Sequence, residues 1–364
     1  MGPRWQASWL YGVLLVAAAA AGAAEPPLRD AAYEFALGEM LASEGDYDGA
    51  LAAIGRAVEL EPRDPYLRLE RAELLFRIGR QEGAAAEIGI ARELAPEDPE
   101  VQRVQARIEM SRADRDPEAA RTAIDAYERV RAREPEDLEA LVSLGQLYLG
   151  GGQPELAKVT LAEAARLRPG QPMIEALLAR ALAGAGEVGD SESMRRRLLA
   201  QNPRNLQQRL ELADLLGRQG RHAEAATLLA DAPEEQRGAP EVRRRLGYEL
   251  YLAGDLDSAQ VVGEAAVAAQ PDAAGARVLL GLVGLASGRY AEVERWLSPL
   301  VAQSPESDQV GDLYVQALEG LGRIDEAVET LRAGDGAISL RLAPAVAPRL
   351  LATSHPHWRG WSAR

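Results

Sequence analysis

The chain has 364 residues, with 56 acidic side chains against 41 basic ones, a net charge of −15 and no cysteine. A surface this acidic repels phosphate backbones and anionic lipid, which argues against nucleic acid as a partner. The missing cysteines exclude a disulfide framework, a thiol nucleophile and a lipid-anchored lipoprotein.

Residues 1–24 read as a secretory signal. Arg4 gives the positive start, Leu10 to Ala20 the apolar run, and Ala21-Gly22-Ala23 the small residues of a cleavage site after Ala23 or Ala24. The run is shorter than the roughly 20 apolar residues of a membrane span, and an uncleaved anchor is the alternative. Lys158 is the sole lysine, and Asn202 and Asn205 are the only asparagines. That is the mark of GC-rich coding, so the expectation is an exported bacterial protein, periplasmic or extracellular.

From Ala31 onward one pattern recurs. In Leu141 to Pro169, Leu141, Leu144, Gly145 and Tyr148 share one face of a first helix. Gly151 and Gly152 end it, because glycine takes a positive φ without steric cost. Pro154 starts a second helix, Ala157, Leu161, Ala164 and Ala165 line its face, and Pro169 stops it. Small residues recur at Gly38, Ala72 and Ala106, then at Gly145, Ala179, Ala213, Gly247 and Gly281, always 34 residues apart within each run. The turn glycines (Gly45, Gly79, Gly152, Gly186, Gly220, Gly254, Gly288, Gly322) and the closing prolines keep the same phase.

Three repeats depart from the pattern. The third carries five extra residues around Ser111 to Pro117, with Ala113 in place of the turn glycine. The fifth has Ser191 and Arg195 where alanine and a large apolar residue stand elsewhere, which predicts looser packing. The sixth has Arg237 in place of the closing proline.

In these residues the chain resembles a tetratricopeptide repeat protein of the exported bacterial type, whose period is 34 residues. Nine repeats fill residues 31–336, starting at Ala31, Pro65, Pro99, Leu138, Pro172, Leu206, Pro240, Ala274 and Asp308, and residues 337–364 form a cap and tail. The resemblance implies an all-α, right-handed superhelical solenoid whose first helices line a concave groove. It also implies a non-catalytic scaffold or adaptor of the cell envelope that holds a segment of a partner protein. A periplasmic component of a polysaccharide export or biofilm system, or an accessory factor for pilus or cytochrome assembly, are alternatives of the same kind. The groove residues this assigns to a partner are Arg103, Arg107, Arg180, Arg244, Tyr248, Tyr251 and Leu282. The chaperone-tail clamp of some family members needs lysine and asparagine on successive first helices and is not carried over.

Other constellations have structural readings. Gly184 to Gly189 fits G-x-G-x-x-G, but a helix precedes it where a dinucleotide site needs a strand. Asp46-Tyr47-Asp48-Gly49 and Asp255-Leu256-Asp257 lack the loop and closing glutamate of a calcium site, and Asp46 and Asp255 suit helix N-caps. His222 is expected to be solvated, and His355 and His357 are too few for a metal centre. No cofactor or metal is expected. A membrane contact would come only through an uncleaved signal or a partner. Arg195 to Arg197 and Arg243 to Arg245 are expected to pair with nearby glutamates, or, in the case of Arg244, to grip a partner's carboxylate.

Overall fold

The structure is a computed structural model that describes residues 30–303 and 308–333. The signal read at 1–24 and the tail at 337–364, with His355, His357, Trp358 and Trp361, lie outside the described residues. Among those described, the chain holds nineteen helices and no strand. None of the helices is long and apolar enough to cross a membrane.

The helices follow one another as hairpins. In chain order they are α1 (Ala31–Glu44) and α2 (Tyr47–Leu60), α3 (Pro65–Arg77) and α4 (Gln81–Leu94), and α5 (Pro99–Met110) and α6 (Pro117–Arg133). Next come α7 (Leu138–Gly150) and α8 (Pro154–Leu167), α9 (Pro172–Gly184) and α10 (Val188–Gln201), and α11 (Leu206–Arg218) and α12 (His222–Ala230). A single turn, α13 (Glu234–Arg237), precedes α14 (Pro240–Leu252) and α15 (Leu256–Ala269), α16 (Ala274–Ala286) and α17 (Tyr290–Gln303), and α18 (Asp308–Gly320) and α19 (Ile324–Ala333). Each first helix begins at the residue the repeat predicts. The described residues fall into two compact bodies, one ending at Ser191 and the other starting at Glu192, with the division inside α10.

The punctuation works as the residue chemistry dictates. All eight turn glycines have positive φ, between 67° at Gly152 and 85° at Gly45. Asp46 accepts the Gly49 N–H at 2.9 Å and Asp255 accepts the Ser258 N–H at 3.2 Å, so both are N-caps. No described residue other than glycine has positive φ. The third repeat, with Ala113, therefore cannot close its hairpin the same way. It uses its extra residues for a longer turn instead, stitched by Arg112 to Glu109 and Asp116 at 3.1 Å each. In the sixth repeat, without its proline, α12 stops after nine residues and α13 completes the return.

One large side chain from the second helix plugs most hairpins. Ile54, Ile88, Tyr127, Leu161, Leu229 and Leu297 occupy the same register and are all fully buried. A glycine of the first helix receives three of these plugs: Gly38 takes Ile54, Gly145 takes Leu161 and Gly281 takes Leu297. The fifth repeat buries polar side chains on either side of the division between the two bodies. Ser191 is fully buried and its hydroxyl donates to the Ala179 carbonyl at 2.7 Å. Arg195, only 4% exposed, is held by Glu211 and by Gln208 at 3.4 Å. A guanidinium this deeply buried is tolerable because it is paired and hydrogen-bonded.

Candidate partner-binding surface

First helices present one stripe of side chains in common register, one residue per repeat. In the N-terminal body the stripe reads Glu39, Glu73, Arg107, Gln146 and Arg180, all exposed or partly so. In the C-terminal body it reads Asp214, Tyr248, Leu282 and Gln316.

The stripe begins acidic. The rings of Phe35 and Tyr66 meet edge to face, 5.6 Å apart at 64°. The Tyr66 hydroxyl donates to Glu70, and burial of Glu70, helped by the fields of Glu39 and Glu73, pushes its carboxyl up to about 7. Burial likewise raises the Tyr66 hydroxyl well above its ordinary value.

The two arginines that follow are engaged within the chain. Arg107 pairs with Glu73, 34 residues earlier and in the same register of the preceding repeat. Arg103 holds Glu100 at 2.5 Å and both Glu134 and Asp137 at 2.9 Å. Burial works against its charge, yet the Asp137 hydrogen bond and the surrounding acids hold its pKa above the ordinary value. Asp137 is also the N-cap of α7, so Arg103 staples one repeat to the next. Arg180 is different: it is exposed and has no ion pair among the described residues.

In the C-terminal body the arginine triplet divides. Arg245 pairs with Asp214 and lies 3.4 Å from Glu249, and Arg244 holds Glu241 one turn away at 2.5 Å while half exposed. The Arg243 side chain has no hydrogen bond or ion pair among the described residues, so the expected pairing with a nearby glutamate is corrected for this member of the triplet. Tyr248 is partly buried, which raises its hydroxyl pKa against the opposing field of Arg244. Arg243, Arg244 and Tyr248 share the wall of one cleft. Tyr251 packs toward Ala259, Leu279 and Val283. Leu282 leans on a core of Val278, Val293, Leu297, Leu313 and Ala317. The structure thus joins Arg244 and Tyr248 at one site and turns Tyr251 and Leu282 partly into packing.

The expectation of a solvated His222 is corrected. Its Nδ1 lies 2.8 Å from Oε2 of Glu249, and the two side chains are 24% and 5% exposed. Glu249, buried against Gly217 near the end of α11, draws the ring inward, so the histidine ties the sixth repeat to the seventh. Gly184 to Gly189 is a helix end, a positive-φ turn at Gly186 and the start of α10, which is no dinucleotide loop.

Comparison with known proteins agrees with this architecture. A tetratricopeptide repeat model matches residues 41–108, 113–181 and 250–316, and a second one matches 177–240. The human protein O-mannosyl-transferase TMTC1 is 26% identical over 201 residues, 54% of this chain and 22% of that protein. Cellulose synthase operon protein C of Pseudomonas fluorescens (strain SBW25) is 28% identical over 186 residues, 49% of this chain and 14% of that protein. The chain therefore spans less than a quarter of either relative. Among solved structures, the C-terminal part of a repeat-containing protein from Cytophaga hutchinsonii superposes with a TM-score of 0.55 at 17% identity, covering 68% of this chain and 99% of that one.

Proposed function

Because the chain belongs to the tetratricopeptide repeat family, we propose that it is a non-catalytic scaffold that holds a segment of a partner protein along its first helices. The observation that carries this reading is the register stripe, whose Tyr248 in the C-terminal body shares the wall of a cleft with Arg244. A stripe repeated hairpin after hairpin suits an extended segment and supplies no converging acid, base and nucleophile. Ordering such a segment on docking keeps affinity modest, about micromolar. The match to a protein named as an O-mannosyl-transferase covers about a fifth of that relative and carries no transfer activity over to this chain.

We place the protein in the bacterial envelope, exported by the segment at 1–24. A component of a polysaccharide export system is a second reading, favoured by the likeness to cellulose synthase operon protein C. The test is in vivo crosslinking in the native host, identification of the crosslinked protein, and capture of that protein by purified variants. Arg244→Glu combined with Tyr248→Ala should weaken capture at least tenfold while the helical circular dichroism stays unchanged. Equal capture by the variant would overturn the assignment of this surface.

A further inference from the structure

The seventh repeat lacks its plug. At the register where Ile54, Ile88, Tyr127, Leu161, Leu229 and Leu297 fill their hairpins, the residue is Gly263. The consequence is visible at Gly247, the counterpart of Gly38, Gly145 and Gly281. Those three face the plug of their own hairpin, whereas the nearest side chain to Gly247 is Leu279, from the first helix of the following repeat. Leu280 also closes on Gly263, so that a Cβ there would stand 2.8 Å from Leu280 Cδ2. The two leucines do not make good the loss. A cleft of about 130 Å³ remains, its apolar walls formed by Val262, Ala266, Leu279 and the ring of Tyr248.

A guanidinium without a partner stands at this cleft. The register of Arg243 is polar in most repeats, and its side chain is elsewhere engaged. Glu34 accepts from Arg56 at 2.8 Å, Arg68 donates to Glu87 at 2.8 Å, and Gln102 donates to the Pro96 carbonyl at 2.7 Å. Arg209 donates to the carbonyls of Leu228 and Pro203, and Arg277 to that of Pro271. Three of these carbonyls belong to closing prolines. Before Arg243 the corresponding residue is Arg237, which lies in the extra turn α13, and the Arg243 side chain donates to no carbonyl there. The Arg243 side chain is left partly buried and without a protein partner in a chain with a surplus of acids, its guanidinium free to receive a carboxylate.

We propose that this cleft is a docking pocket for a leucine-sized side chain of a partner peptide that carries an aspartate or glutamate beside it. The side chain enters the cleft that Leu279 and Leu280 leave open beside Gly263, and the carboxylate pairs with Arg243, with Arg244 at the same wall. This rests on the scaffold reading and names the sequence chemistry that the scaffold accepts. The dimensions agree, since an apolar cavity of about 150 Å³ accommodates benzene. The charge agrees as well, because a planar guanidinium binds a carboxylate through two parallel hydrogen bonds.

The test uses the purified full chain and a fluorescein-labelled glycine–serine peptide carrying a single Leu-Glu pair, followed by anisotropy. Binding should weaken at least tenfold when the peptide's leucine becomes alanine or its glutamate becomes glutamine. It should weaken as much for the protein variants Ala266→Leu, which plugs the cleft from a partly exposed position, and Arg243→Gln, which removes the charge without altering packing. Failure of the wild-type chain to bind the peptide at millimolar concentration, or binding by both variants within twofold of wild type, would overturn the proposal. So would displacement of the peptide by octanoate at equal concentration, which would mark the cleft as a site for small apolar acids. Loss of partner capture in Arg244→Glu with Tyr248→Ala would still support the scaffold reading in any of these cases.

Discussion

Leu161→Ala is expected to lower the thermal midpoint by roughly 5–15 °C, the equivalent of about 2–5 kcal/mol for a buried leucine that leaves a cavity. Leu161 is fully buried and its branch point lies directly over Gly145, so neither the backbone nor a neighbouring side chain can move in without breaking the hairpin contact. The reciprocal change, Gly145→Leu, should also destabilise, by about 1–3 kcal/mol, because an added Cβ would overlap the Leu161 side chain. Because the two effects share one contact, Gly145→Ala should cost less in the Leu161→Ala background than alone, a coupling that a double-mutant cycle measures. Melting curves followed by circular dichroism check all of this, and an unaltered melt for Leu161→Ala would contradict the plug.

Glu70→Gln should remove a pH dependence from stability. In the folded chain the Glu70 carboxyl is pushed up to about 7 from its ordinary value of 4.5, chiefly by burial and further by Glu39 and Glu73, with Tyr66 and Arg77 pulling the other way. The native state therefore holds this proton more tightly than the unfolded chain does. Its contribution is fully present below about pH 4.5 and is lost as pH rises through about 7. The wild-type chain should lose on the order of 1–3 kcal/mol from this group across that window. The glutamine variant should not show that loss. Denaturant midpoints at pH 5 and pH 8 decide it: if wild type and variant change in parallel between them, Glu70 is not the titrating group.

Much of the fold could be read from residues in order. Prolines at Pro65, Pro99, Pro172 and Pro240 sit where a missing N–H does no harm, and helices start on them. Glycines at the turns adopt the backbone that other residues avoid. These signals are local, so the sequence carries them openly. The state of the candidate surface is not local. That Arg107 shares the register of Glu73 and Gln146 follows from its spacing, but that Glu73 already holds it shows only once the two repeats are packed together. His222 follows a turn glycine and looks solvated until Glu249, from a later helix, is brought against it. The burial of Ser191 and Arg195 belongs to the same class, because a hydroxyl or guanidinium in a core is tolerable only once its acceptor is known. The cleft is an intermediate case. Gly263 stands out as soon as the plug register is read down the repeats, whereas the absence of a partner for Arg243 shows only in three dimensions.

The staples between repeats shape how a partner would approach. Arg103, Arg107 and Arg131 neutralise acids of their own chain at contact distance, so the surplus of acids over bases is what the solvent sees from afar. An acidic peptide bound for Arg243 would then meet net repulsion on its approach at low salt, a field screened to within about 10 Å at 0.1 M, and attraction only on arrival. Its encounter rate should accordingly rise with moderate ionic strength, the reverse of ordinary electrostatic steering.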